Sequence, residues 1–153
     1  MSKPIPRLGT FLPYQLAITS NMVSGRIADE YRAQYGLRIP EWRVMAVLGD
    51  TGSATQRDLV RATLMDKVAV NRACKVLGER GLIARTPNSR DGRSHHLELT
   101  AEGRQLHADC MPMTQAMFEK IFTDIPETER KALQALLARI RDGVAKTGEA
   151  SRS

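Results

Sequence analysis

The stretch Asp66–Thr100, "DKVAVNRACKVLGERGLIARTPNSRDGRSHHLELT", decides how this chain folds. It opens on Asp66, whose side chain can accept hydrogen bonds from the free amides of a helix start. Val70, Ala73, Cys74 and Leu77 follow at spacings of three and four. That spacing lines one face of an α-helix and predicts a helix from Lys67 to about Arg80. Gly81 supplies the left-handed residue that stops it. "LIART" then reads as a short strand, and "HLELT", with Leu97 and Leu99 on one face, as the strand that returns. Asp91-Gly92 makes the tight bend between them.

Upstream, Thr55 with Asp58 three residues later forms a capping box for a short helix anchored by Leu59. Before it, "GDTGS" reads as a loop, and a helix from Pro40 carries Trp42, Met45 and Leu48. The first helix runs from near Pro13 to about Tyr35, with Leu16, Val23, Ile27 and Tyr31 as its stripe and Gly36 as its end. Downstream, Thr100 caps a helix whose apolar positions are Leu106, Cys110, Met113, Met117 and Ile121. Pro112 lies inside it, removes the bond to the Ala108 carbonyl and predicts a kink. The last helix opens at "DIPETER", with Asp124 as cap and Pro126 near the start. It carries Leu133, Leu136, Leu137, Ile140 and Val144. The first dozen residues and the tail ending in "GEASRS" read as disordered.

The order is four helices, two strands, two helices. It predicts a mainly α fold with a small β-hairpin wing: a winged helix-turn-helix unit flanked by N- and C-terminal dimerisation helices. The expected organisation is an arm and first helix over 1–36, a DNA-binding domain over 37–100, and terminal helices over 101–153. The flanking helices carry more apolar stripe than the small winged unit can cover, so a homodimer is expected.

The charge supports this division. Residues 56–93 hold nine basic and four acidic side chains, a net +5, against 14 basic and 13 acidic in the rest. A positive excess confined to one quarter of the chain suits an anionic partner such as double-stranded DNA. Cys74 and Cys110 are too few and too far apart for a disulfide framework, which suits a reducing compartment. No signal segment and no apolar run of about 18 residues is present, so a cytoplasmic protein without a membrane span is expected. There is no Gly-rich phosphate loop, no nucleophile–base pair and no paired carboxylates, so the chain is not read as an enzyme and no cofactor is expected. His95 and His96 are neighbours on a strand and point to opposite faces, which argues against a shared metal.

The segments "EWRVMAVL", "TQRDLV", "DKVAVNRACKVLGERGLIART", "RDGRSHHLELTAEGR" and "ETERKALQALLARI" together resemble the MarR family of bacterial winged-helix transcription regulators, over most of residues 40–142. The resemblance implies a homodimer joined by its terminal helices, a palindromic DNA operator and, often, a small-molecule inducer. Asp91 and Arg93 match the family's wing signature. Asn71 stands where the family more often carries a small hydroxyl residue. "LPYQLAITSN" is similar to members that respond to aromatic acids or their coenzyme A thioesters.

The chemistry expected of these residues follows from their positions. The helix over 67–80 presents Lys67, Val68, Ala69, Asn71 and Arg72 away from its apolar stripe. Asn and Arg can make paired hydrogen bonds to adenine and guanine edges, and Val68 and Ala69 can touch a thymine methyl. Lys75 and Arg80 are read as phosphate contacts or solvated. Thr55, Gln56 and Arg57 lie at the start of the preceding helix, where backbone phosphates are expected. Asp91 fixes the wing, and Arg90 and Arg93 are placed to enter the minor groove. A candidate effector pocket draws on Tyr14, Leu16, Asn21, Met22, Trp42, Arg43, Met45, Met113 and Met117, with Arg43 as partner for a carboxylate.

The expected function is a sequence-specific transcriptional repressor released by a small aromatic acid or its CoA thioester. Three alternatives compete: a non-regulatory architectural DNA-binding protein, a redox-sensing regulator using Cys74 or Cys110, and a ligand- or metal-binding protein without DNA function.

Overall fold

The computed structural model describes residues 7–88 and 91–150, without the side chains of 88, 91–94, 149 and 150. After a 3-10 turn (Leu8–Thr10) come α1 (Leu12–Tyr35), α2 (Ile39–Thr51), α3 (Gln56–Thr63) and α4 (Lys67–Glu79). The hairpin of β1 (Ile83–Asn88) and β2 (Asp91–Leu99) follows, then α5 (Ala101–Ile121) and α6 (Glu127–Ala150). The mainly α fold with a small β-hairpin wing is as the sequence predicts. Contacts divide the chain into two compact units, Met1–Met117 and Phe118–Ser153.

The predicted caps explain where several elements begin. The Asp66 carboxylate accepts from the Ala69 amide at 2.8 Å. The Asp58 amide donates to Thr55 Oγ1 at 3.1 Å, and the Thr55 amide donates to the Asp58 carboxylate at 2.9 Å. Thr100 Oγ1 accepts from the Gly103 amide at 3.0 Å and donates to the Gly81 carbonyl at 2.6 Å. That double contact seats the start of α5 against the end of α4. Gly103 is required there, because a β-carbon would collide with the Leu82 carbonyl oxygen.

The core of the first unit is the stripe of α4 set against α2, α3 and the hairpin. Val44, Met45, Leu48, Leu59, Val70, Leu77 and Leu97 are fully or almost fully buried. β1 and β2 pair antiparallel with Ile83 opposite Leu99 and Arg85 opposite Leu97. Ala54, just before α3, exchanges two backbone bonds with Leu97, at 3.1 and 2.8 Å. The wing base and the start of α3 are thus one hydrogen-bonded piece.

Several boundaries differ from the sequence expectation. "GDTGS" is not wholly loop: α2 continues through Gly49 and Asp50 to Thr51 and stops at Gly52, φ 84°. The hairpin strands are longer than "LIART" and "HLELT". By contrast, α5 runs through Pro112 as one helix, as the sequence predicts. α6 starts at Glu127, so Asp124 lies in the preceding turn; the Pro126 carbonyl instead accepts from the amides of Glu129 and Arg130, both at 3.0 Å. The first dozen residues are partly ordered, since Gln15 Nε2 donates to the Gly9 carbonyl at 2.6 Å, and α6 reaches into the expected disordered tail. Residues 1–6 and 151–153 lie outside the described residues.

In the second unit the turn between α5 and α6 is built around Arg130. Its Nε donates to the Ile125 carbonyl and its Nη2 to the Phe122 carbonyl, both at 2.7 Å. Its Nη1 meets the Glu119 carboxylate at 3.1 Å. The guanidinium carbon lies 5.1 Å from the centre of the Phe118 ring.

Candidate nucleic-acid interface

The residues of α4 separate as its periodicity requires. Val70, Ala73, Cys74 and Leu77 are buried, while Lys67, Val68, Asn71, Arg72 and Lys75 are exposed on the other face. Ala69 falls between the two. It is half-buried and lines, with Arg72, Ala73 and Val76, a groove of about 130 Å³ against Arg38, Pro40 and Glu41 of the α2 start. Glu41, buried in this groove, accepts from the Arg38 amide at 2.7 Å and so caps α2.

On α3, Arg57 and Arg61 are exposed and Gln56 is half-buried. The Thr55 amide is committed to the Asp58 carboxylate at 2.9 Å. Hydrogen bonds from Thr55, first the backbone amide and then the hydroxyl contact, hold the Asp58 carboxyl below the usual carboxylate range. It therefore stays charged and complements the positive end of α3. Between the two helices Leu64 adopts a left-handed backbone, φ 55°, a conformation that costs a branched residue about 1–2 kcal/mol. Among the described residues, no ion pair engages a basic side chain of α3 or α4; the three present are Arg26–Glu30, Arg130–Glu119 and Lys131–Glu127. Among the described residues, the positive charge of this face is therefore not taken up in ion pairs.

The side chains of Asp91 and Arg93, and the whole of Arg90, lie outside the described residues. At the wing base His95 is exposed and His96 is half-buried, on opposite faces of β2. Among the described residues no group of three or more His, Cys, Asp or Glu is placed to hold a metal ion. No described helix is long and apolar enough to cross a membrane.

The effector candidates fall into three sets. Met45 and Met117 are buried. Trp42, Arg43 and Met113 are half-buried. Tyr14, Leu16, Asn21 and Met22 are exposed on the N-terminal half of α1. Around Trp42 the fold gathers residues that the spacing does not single out. The Tyr31 ring lies 5.8 Å from the Trp42 ring, and the His107 ring lies 5.6 Å from it. Arg43 Nη2 reaches Ser24 Oγ at 3.4 Å. Burial pushes the Tyr31 hydroxyl up to about 12, against the opposing pull of the Arg43 charge. The one sequence signal for this cluster is Gly49, a glycine inside a helix where His107 packs.

Both thiols are buried. Burial raises Cys74 and pushes Cys110 up to about 11. A thiol held protonated is a poor nucleophile, which weighs against the redox alternative.

The MarR family profile matches residues 35–94, the segment that runs from the end of α1 to the wing. An uncharacterised HTH-type transcriptional regulator of Bacillus subtilis, YdgJ, is 24% identical over 77% of this chain and 72% of its own length. The crystal structure of a MarR family regulator from Silicibacter pomeroyi DSS-3 is 28% identical. It covers 89% of this chain and 99% of that one with a TM-score of 0.75. A MarR/EmrR family regulator from Acinetobacter sp. ADP1 is 23% identical over 92% of this chain and 99% of that one, and shares the fold with a TM-score of 0.84. With its helix order, its hairpin and the exposed basic face of α4, the chain matches the MarR family of winged-helix transcriptional regulators over residues 35–94 and shares the fold of solved members.

Proposed function

We propose that this regulator is a homodimeric, sequence-specific repressor that releases its operator when a small aromatic acid, or the CoA thioester of one, binds beside Trp42 and Arg43. The observation that carries the reading is the face of α4. Lys67, Val68, Asn71 and Arg72 are exposed together there, and among the described residues none of them is in an ion pair. Such a face has donors for base edges and charge for phosphates. In this reading both α4 helices enter successive major grooves about one turn apart, roughly 34–36 Å. Thr55, Gln56, Arg57 and Lys75 hold phosphates, and Arg90 and Arg93, braced by Asp91, reach the minor groove.

The dimer draws support from apolar side chains left in water. Leu12 and Met22 on α1 are 68% and 71% exposed, and Leu136 and Val144 on α6 are 50% and 67% exposed. Burying such residues is the main drive for association. The three-part organisation follows: 1–36 and 101–153 for dimerisation, 37–100 for DNA.

The effector part rests on Arg43. It is half-buried and bonded to a neutral hydroxyl, so a carboxylate would be welcome there, and the Tyr31–Trp42–His107 rings offer an aromatic wall. Among structures with the same fold, one is a mutant MarR from Escherichia coli complexed with operator DNA, 21% identical. Another is CouR from Rhodococcus jostii bound to p-coumaroyl-CoA, 24% identical. A ligand releases DNA only by favouring a dimer whose α4 spacing no longer fits, so it must bind the two states unequally.

The test is selection of duplexes from a randomised DNA pool by the full chain, followed by titration of variants on the selected duplex. Asn71→Ala should relax sequence choice more than it weakens non-specific binding. Arg93→Ala should cost about 1–3 kcal/mol with the dimer intact. Binding without sequence preference, steeply salt-dependent throughout, would mark an architectural protein instead.

A further inference from the structure

Arg80 lies at the C-terminal end of α4, in the most basic part of the sequence, where a phosphate contact or a solvated side chain is the natural expectation. The structure places it elsewhere. Its Nη2 donates to the Tyr35 carbonyl at 2.8 Å and its Nη1 to the Gly36 carbonyl at 3.3 Å. These are among the last carbonyls of α1, which have no partner within their own helix and lie at its negative end. A planar guanidinium can serve two such oxygens at once, and a Lys ammonium serves them only as a point charge. The chain arrives there because α4 ends at Glu79 and Gly81 reverses it with φ 71°.

The position matters because α1 has two different halves. Its C-terminal half is packed, with Ala28 and Tyr31 buried, while its N-terminal half exposes Leu12, Tyr14, Leu16, Ile18 and Met22. A 24-residue helix is about 36 Å long. A shift of its exposed half is therefore delivered, through one rigid element, to the carbonyls that Arg80 holds.

We infer that Arg80 is a positioning residue that latches the end of the recognition helix α4 to the end of α1, and so makes α4 follow any displacement of α1. This rests on the reading of α4 as the recognition helix. The residue does not touch DNA; it fixes the helix that does.

Two measurements on the full chain test it. First, Arg80→Gln is titrated with the duplex selected by the wild-type protein, across a range of salt. The latch predicts affinity lowered roughly 3- to 30-fold with the salt slope unchanged, and a smaller loss for Arg80→Lys. A slope smaller by about 0.9 would make Arg80 a phosphate contact, and unchanged affinity would make it a solvated side chain; either overturns the latch. Second, spin labels at Ser20→Cys on α1 and Glu79→Cys on α4 report how firmly the helices are held, with Cys74 and Cys110 too buried to label. Arg80→Gln should broaden that distance distribution while far-UV helicity is retained; equal widths overturn the proposal. This arm needs no DNA, so it still decides the latch if the wild-type protein selects no sequence and the repressor reading itself fails. If Arg80→Gln does not fold, Arg80→Lys serves in both arms, with a measurable broadening expected and none counting against it.

Discussion

The imidazole of His107 stacks on the indole of Trp42, with 5.6 Å between ring centroids and 24° between planes. It can do so because it lies directly over Gly49, where any β-carbon would overlap the ring. One glycine on α2 therefore sets how closely α5 approaches the wall of the candidate effector pocket. Gly49→Ala should destabilise the chain by about 1–3 kcal/mol, even though alanine is the better helix former. His107→Ala should cost about 0.5–1.5 kcal/mol for the lost stacking. The double variant should cost clearly less than the two together, since removing the ring makes room for the methyl. Urea midpoints of the four proteins check this; costs that add within about 0.5 kcal/mol would show that the two residues do not compete for one space.

Alkaline pH should unfold the protein before it disturbs the caps. The Cys110 thiol is held up to about 11 and the Tyr31 hydroxyl up to about 12, both by burial. Each group is more acidic in the unfolded chain than in the folded one. The stability linked to each is complete below its unfolded pKa and is lost as pH rises through the folded value. Unfolding free energy should fall between pH 9 and 11 for Cys110 and between pH 10 and 12 for Tyr31, by on the order of 2 kcal/mol each. Cys110→Ala should remove the lower part of that slope. At pH 8 an aromatic disulfide reagent should react with both thiols only as fast as the chain opens, and DNA binding should be insensitive to peroxide. Rapid reaction of either thiol in the native protein would restore the redox reading.

Arg130 should be irreplaceable by lysine. It satisfies the carbonyls of Phe122 and Ile125, pairs with Glu119 and lies over the Phe118 ring. No ammonium can reproduce that fork. Both Arg130→Lys and Arg130→Met should take the side-chain donor from the Ile125 carbonyl, leave the Phe122 carbonyl with the Ile125 amide alone, and cost about 1–3 kcal/mol, read as a lower melting temperature of the full chain. A lysine variant as stable as the wild type would mean that only the charge matters.

Much of the architecture could be read directly along the chain. Thr55 with Asp58, Asp66 and Thr100 cap the helices they precede, and Val70, Ala73, Cys74 and Leu77 are the buried face of α4. These features depend on partners three or four residues away, and a helix brings such neighbours together whatever the rest of the chain does. The exposed α4 face follows from the same periodicity. The start of α6 was harder to read, because both Asp124 and Pro126 suit a helix entry and only the packing of Arg130 against the turn selects between them.

Other features have no local signature. Arg80 reads as one more cation in a basic stretch, yet its bonds go to carbonyls 44 and 45 residues earlier. His107 reads as an isolated imidazole, and Gly49 as the start of a loop, until α5 is laid across α2 and the two occupy adjoining space. The sequence alone determined which segments become helices, which form the wing and where the positive charge gathers, because those outcomes rest on hydrogen bonds and side-chain spacings within a few residues. Only the tertiary structure decided which polar groups are consumed in holding the helices together and which remain free for a partner. That division depends on which distant surfaces meet, and side chains far apart in the chain become neighbours only once the core has closed.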